Sequence, residues 1–433
     1  MPVVRKSNYC NMNKYLFTLA TTFVSLLFSV LFSGCTKDTC KHTHTYTWYE
    51  PLYKTTAEVR ANIKSNPATA IKAPGKIVII GKYIFLNEVD KGIHVIDNTH
   101  PSSPVNIAFI DIPGNIDIAV KGNTLYADLY TDLVTLDIAN PLNVTKTKII
   151  DAVFPNRSYN YGFVADGSKI IFDWARHDTT LTEDCNQPSW DRRGGVLFSA
   201  DASGLKNSSG SPAPIGISGS MARFALVNNY LYTVDESYLN AFDITNSNNP
   251  TFSNKVGVDW RVETIYPFKN KLFVGSNNGM FMYDISSSPG NPVKAGEFTH
   301  ARSCDPVIAD DTFAYVTLHS GTTCLGYTNQ LDIVKLNNLS NAELAKTYSL
   351  TGPQGLSKDD NLLFICDGTD GLKVYNAADV MNLQLIKQFP GAETYDVIAN
   401  NKIAIVVAKD GLYQYDYSAL NNIHLVSKID IKN

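Results

Sequence analysis

A phrase that returns about every forty residues constrains this chain more than anything else in it. The phrase is a glycine, an alternating apolar strand, an aspartate, then Asn, Ser or Thr with proline. It reads Gly92-Ile-His-Val-Ile-Asp97, with Pro101 and Pro104 behind it. It returns as Leu133-Val-Thr-Leu-Asp137 with Pro141, Leu239-Asn-Ala-Phe-Asp243 with Pro250, and Gly279-Met-Phe-Met-Tyr-Asp284 with Pro292. Weaker copies put Ser199, Lys335, Asn376 and Asp416 at the aspartate position. The gaps between these positions are 40, 62, 44, 41, 51, 41 and 40 residues. Such a period marks units that cannot bury both faces alone and seal themselves against their neighbours.

Within one period the pattern predicts four short strands. In the second copy they fall at 116–120, 124–129, 133–138 and 146–151, with Lys121-Gly122-Asn123, Tyr130-Thr131-Asp132 and Ala139-Asn140-Pro141 as turns. Four antiparallel strands per period is the pattern of a propeller blade. The chain therefore reads as all-β, a β-propeller of eight four-stranded blades over 76–433; the alternative is seven blades with one degraded copy. The aspartate closing strand three is expected to accept the amide two residues on, a structural role. The phrase resembles the LVIVD-repeat family of secreted bacterial propellers, most specifically in the Asp97, Asp137, Asp243 and Asp284 copies and least in the Ser199 copy. The resemblance implies a propeller at the cell surface or in the envelope, and it transfers no catalytic residue.

The N-terminus predicts the compartment. Residues 15–32 form an apolar run without a charge, preceded by Lys14 and closed by Phe32-Ser33-Gly34-Cys35. This is a secretory signal over 1–34. Its end resembles the bacterial lipobox, which implies an acyl chain on the Cys35 thiol and an outer-membrane lipoprotein; an uncleaved membrane anchor is the alternative. Residues 35–75 read as a tether and a short docking helix. Thr36 to Thr47 is read as an unpatterned polar tether. Thr55-Thr56-Ala57-Glu58 has capping-box form and predicts a helix carrying Val59 and Ile63. Tyr46, Trp48, Tyr49 and Tyr53 are expected to dock it on the propeller. Cys304 and Cys324 are the expected disulfide, Cys366 a buried free thiol, and Cys40 with Cys185 is left open.

Charge narrows the partners. The chain has 37 basic and 41 acidic residues, net −4. Removing the signal takes Arg5, Lys6 and Lys14 with it and leaves the body more acidic. No basic run tracks phosphates, so nucleic acid is not an expected partner. No motif for a metal, a cofactor, a nucleophile elbow or a phosphate loop is present. A monomer is expected.

Two places attract functional interest. One is a pair of insertions, Asp173–Arg193 and His319–Gln330. The first gathers Trp174, Arg176, His177 and Trp190, residues suited to a sugar or protein surface. The other is a polar ring at the mouth of the central channel, where strand one of each copy begins: Lys76, Asp117, Gly162, Arg223, Thr264, Asp305, Gln354 and Tyr395. Trp260, Arg261, Glu263, Glu393 and Asp396 lie close in sequence to that ring. The leading functional expectation is a lipid-anchored binding module for a glycan, a peptide or an envelope protein, not an enzyme. Alternatives are a carbohydrate- or lactone-active hydrolase or lyase using acidic residues at the channel mouth, and a structural subunit of an envelope complex.

Overall fold

Alternating residues such as Thr124–Leu129 and Tyr230–Val234 form strands because β-branched and aromatic side chains fit a pleated sheet buried on both faces. The structure, a computed structural model, describes residues 41–154, 169–184, 214–299, 306–320 and 328–431. Among these the chain builds seven blades, each of four consecutive antiparallel strands, over 74–111, 118–150, 224–257, 262–299, 307–349, 356–389 and 394–430. Their first strands touch in succession around an axis. Blade 2 has strands at Ile118–Lys121, Thr124–Leu129, Asp132–Asp137 and Thr145–Ile150, within two residues of the expected limits.

The eight-blade reading is corrected to seven. The expected blade around Ser199 lies between Asp137 and Asp243, which are about two and a half periods apart. Ser199 itself and Gly162 lie outside the described residues. What the structure shows in that interval is Ile170–Asp184, a strand that pairs with Lys41–Lys54 in a two-stranded sheet, and a run from Pro214 to Ala222. Part of the expected tether is therefore a strand. Thr43, Thr45 and Thr47 alternate with His44, Tyr46 and Trp48, a period-two pattern that the polar composition hid.

The repeat phrase has a physical cause in the turns. At Asp97, Asp137, Asp243, Asp284, Asn376 and Asp416 the side-chain Oδ1 accepts the amide two residues on, at 2.7–3.0 Å. This fixes the turn into strand four. In blade 5 Lys335 takes that place and has no acceptor to offer. The glycine that opens strand three is also required. Gly371 has φ +81°, and a Cβ there would collide with the Phe389 carbonyl of strand four.

Each blade-to-blade contact carries its own apolar cluster. Ile118, Val120 and Leu125 pack on Ile93 and Ile110; Phe364, Val374 and Leu372 pack on Val397, Val406 and Tyr417. The ring closes where Ile77, Ile84 and Leu86 of blade 1 meet Ile398, Ile405 and Leu412 of blade 7. Among the described residues no strand of blade 7 joins the sheet of blade 1. Reciprocal amide bonds between Asn98 and Gln414, at 3.0 and 2.7 Å, and Ser427 Oγ donating to the Pro101 carbonyl at 2.6 Å complete it.

The predicted helix spans Thr56–Ala61 with its capping box: Thr55 Oγ1 accepts from the Glu58 amide, and the Thr55 amide donates to Glu58 Oε2. Val59 is buried and Ile63 packs beside it in the cluster between blades 1 and 2. Arg60 adds an ion pair to Asp132 at 2.6 Å. Docking rests on these residues. Of the aromatics expected to help, Trp48 and Tyr53 are about half exposed, at 48% and 49%. Cys366 is buried and free. Cys35, Cys304 and Cys324 lie outside the described residues. No described helix is long and apolar enough to cross a membrane.

Candidate functional site

The run Pro214–Ala222 climbs the inside of the ring. It starts beside the turn between strands one and two of blade 2, where the Gly122 amide donates to the Pro214 carbonyl at 2.6 Å. Ile217 and Ser218 pair with Ile79 and Val78 of blade 1. Ser220 Oγ then accepts the Leu356 amide of blade 6 at 2.8 Å and donates to Asp396 Oδ1 of blade 7 at 3.4 Å. The Ala222 carbonyl takes the Ile265 amide of blade 4. The long connection before blade 3 thus returns along the axis from the far end, and its last residues floor the upper mouth, where the first strands begin.

At that mouth a charged group surrounds Lys76: Asp117, Asp396, Arg223 and Glu263 all act on its ammonium. Asp117 is buried, its Oδ2 accepts the Arg223 amide, and its Oδ1 accepts the Ile118 amide at 2.7 Å. Burial outweighs Lys76 and these bonds and raises the Asp117 carboxyl to about 7. Asp396 is raised to about 6 for the same reason. Glu263 is also raised by burial, and the Lys76 ammonium is pushed down by it. Asp396 Oδ2 has no partner, and glycines at 219 and 355 crowd its carboxyl so closely that a Cβ on either would collide with it.

Beside this group, between blades 2, 3 and 4, lies a cavity of about 350 Å³. Tyr130, Phe154 and Val262 give its apolar wall; Asp128, Asp235, Glu236, Glu263 and Arg223 give its polar wall. Asp128 Oδ1 accepts three donors, Asn115 Nδ2 and the amides of Ile116 and Asp117, at 2.8–2.9 Å. Three N–H groups on one oxygen hold that carboxylate in place. A larger cavity of about 870 Å³ sits beside blade 1. Its Lys54, Lys72 and Lys91 offset Glu88, Asp90 and Asp111. That balance of charge selects no ligand, so the smaller cavity is the better candidate.

The structure brings Asp117, Arg223 and Glu263 together around Lys76. It corrects the ring by one residue in two blades, where Glu263 and Asp396 take the places given to Thr264 and Tyr395. Register shifts between Val262 and Thr264 and between Thr394 and Asp396 cause the slip, since a bulge turns the side chains that follow to the other face. Tyr395 packs instead against the seam between blades 1 and 7. Gln354 contributes backbone: its carbonyl accepts Thr317 Oγ1 at 2.7 Å. Trp260 is 53% exposed with the Arg261 guanidinium 4.8 Å over its ring. Glu393 pairs with Lys409. Asp305 and Trp190 lie outside the described residues. Trp174, Arg176 and His177 belong to a separate compact unit that also takes in the strand Lys41–Lys54 as far as Glu50. There His177 stacks on Trp48 at 4.4 Å and pairs with Glu50 at 3.0 Å, while Arg176 pairs with Asp178. Asp128, Asp235 and Glu236 carry no signal in the strand-one register, because they stand at the end of strand two or in the turn after it; the Val234-Asp235-Glu236-Ser237 turn, between strands two and three, lines the same cavity.

The LVIVD repeat is matched at 74–109, 115–151 and 218–257, which are blades 1 to 3. The chain carries LVIVD repeats. Blades 4 to 7 keep the same four-stranded form around the axis. No curated protein matches the chain by sequence. Among solved structures the chain is similar to the periplasmic gluconolactonase PpgL of Pseudomonas aeruginosa, at 10% identity and TM-score 0.50, over 85% of this chain and 96% of that one. It is equally similar to a protein from Lactobacillus plantarum, at 11% identity and TM-score 0.50, over 82% and 96%. The Saccharomyces cerevisiae protein Sqt1 aligns at 7% identity and TM-score 0.48, over 86% and 87%. At these identities the likeness is one of fold.

Proposed function

We propose that the LVIVD propeller is a lipid-anchored binding module outside the cytoplasm. It takes a glycan, a peptide or an envelope protein at the upper mouth of its channel. The observation that carries this reading is the cavity between blades 2, 3 and 4, where buried carboxylates and aromatic rings converge on a rigid scaffold. Its volume falls within the range of small-ligand sites, roughly 300–1,000 Å³. Purified chain screened on a glycan array and a peptide pool is expected to give a ligand, and Glu236→Arg to weaken it at least about tenfold. Full binding by that variant would place the ligand elsewhere. The anchor rests on Cys35: Cys35→Ala should move the protein from the membrane to the soluble fraction, and unchanged membrane retention would favour an uncleaved helix.

A second reading is a hydrolase or lyase acting on a carbohydrate or lactone. Asp117 and Asp396, raised to about 7 and about 6, both act on the Lys76 ammonium, and carboxyls shifted in this way suit proton transfer. Both are nevertheless buried, at 1% and 3% exposure, under residues 219–223. A substrate would reach them only if that segment moved, so binding is the better-supported reading.

A further inference from the structure

The compact unit that holds the blades has one tryptophan, and the fold leaves it open. Trp260 is the only tryptophan in 51–173 and 194–433. It is 53% exposed although the Arg261 guanidinium lies 4.8 Å from its ring centre. The connection that carries it, from blade 3 to blade 4, is tied down along its length. The Val258 amide donates to the Ser237 carbonyl at 2.9 Å, and the Val262 amide to the Glu236 carbonyl at 3.1 Å. The Asn277 amide donates to the Arg261 carbonyl at 3.1 Å, and Asn278 Nδ2 to Asp259 Oδ2 at 3.1 Å. Arg261 is held left-handed, at φ +55°, which strains a long side chain. Tyr130, on the apolar wall of the cavity, has the same φ of +55°. Backbone held away from its preferred conformations gathers at ligand clamps.

Trp260 stands two residues before Val262, which lines the cavity with Glu236, Glu263 and Arg223. Arg261 decides what can lie on the indole. A second cation would meet a guanidinium already on the ring and be repelled by it. A phenyl ring would have to settle beside Glu236, Glu263 and Arg223, all of them charged and partly exposed. A pyranose suits both conditions: its C–H face is apolar, and the hydroxyls at its edge donate to carboxylates and accept from guanidinium groups. A carboxylate has about four lone-pair sites, so Glu236 and Glu263 can accept hydroxyls beside the groups they already meet. We infer that the protein binds a neutral glycan beside this cavity, one sugar ring stacked on Trp260 with hydroxyls shared between Glu236 and Arg261. This inference rests on the binding-module reading and chooses the ligand class within it.

The test is affinity electrophoresis of the full chain in gels cast with starch, laminarin, xyloglucan or yeast mannan. At least one is expected to retard the protein. Trp260→Ala should weaken that retention at least about tenfold, the loss expected for a tryptophan anchor, and Trp260→Phe, which keeps a ring, should weaken it less. Because the indole is exposed, both variants should melt as the unaltered chain does. If Trp260→Ala does not fold, Trp260→Gln takes its place. No retardation by any of the four polysaccharides, or equal retention of Trp260→Ala, would overturn the inference. A peptide from the pool that binds and is weakened by Glu236→Arg would, under either result, leave the binding-module reading standing; absence of a ligand of any kind would remove both.

Discussion

Phe364→Ala should destabilise the propeller by about 3–5 kcal/mol, the range for deleting a buried aromatic ring. Phe364 is 0% exposed, and its ring centre lies 4.8 Å from that of Tyr417 in the cluster joining blades 6 and 7. The cavity cannot collapse easily, because Tyr417 is held by its own hydroxyl donating to Asp359 Oδ2 at 3.0 Å. A ring of blades also has no free end to absorb a loosened joint; the weakness is shared around the circle. Urea unfolding followed by tryptophan fluorescence checks this. A loss below about 1 kcal/mol would mean that the blades are stable singly and that their contacts matter little.

The second large effect is on pH. An ordinary aspartate has a pKa of 3.8, whereas Asp117 stands at about 7 and Asp396 at about 6 because burial disfavours their charge. The folded chain therefore keeps protons there that the unfolded chain has released above about pH 4. Stability from these groups is present below that pH and is lost as pH rises towards 7. Lys76 and His319, both pushed down by burial, act in the opposite sense. The comparison that isolates the carboxyls is the difference between the protein and its Asp117→Asn and Asp396→Asn variants. Relative to them, Tm of the unaltered chain should rise by roughly 3 °C from pH 8 to pH 5.5. Parallel profiles in all three proteins would show that Lys76 and Arg223 already compensate both acids.

The repeat phrase carried most of the architecture, and the reason lies in particular residues. Asp97, Asp137, Asp243 and Asp284 terminate strand three through a bond within their own turn, so their meaning is local and periodic. Gly371 meets the next strand's backbone, again within one blade. Blade number was harder, because a second structure occupies the space between two copies. The strand Ile170–Asp184 and the axial strand Ile217–Ser218 are extended, as blade strands are, and only their partners tell them apart. At the site, Asp117 and Arg223 could be placed by counting into strand one. Glu263 and Asp396 could not, because a bulge of one residue exchanges the faces. The cavity joins three blades, and no pattern within a single period encodes it.

The passage of Pro214–Ala222 up the axis also orders events in time. These residues leave the ribosome after blade 2, yet Ser220 bonds to Leu356 of blade 6 and Asp396 of blade 7, made well over a hundred residues later. Until blades 6 and 7 are formed, that part of the wall around the run is missing. The channel mouth is therefore whole only once contacts far apart in the sequence have closed, a non-local step of the kind that slows folding.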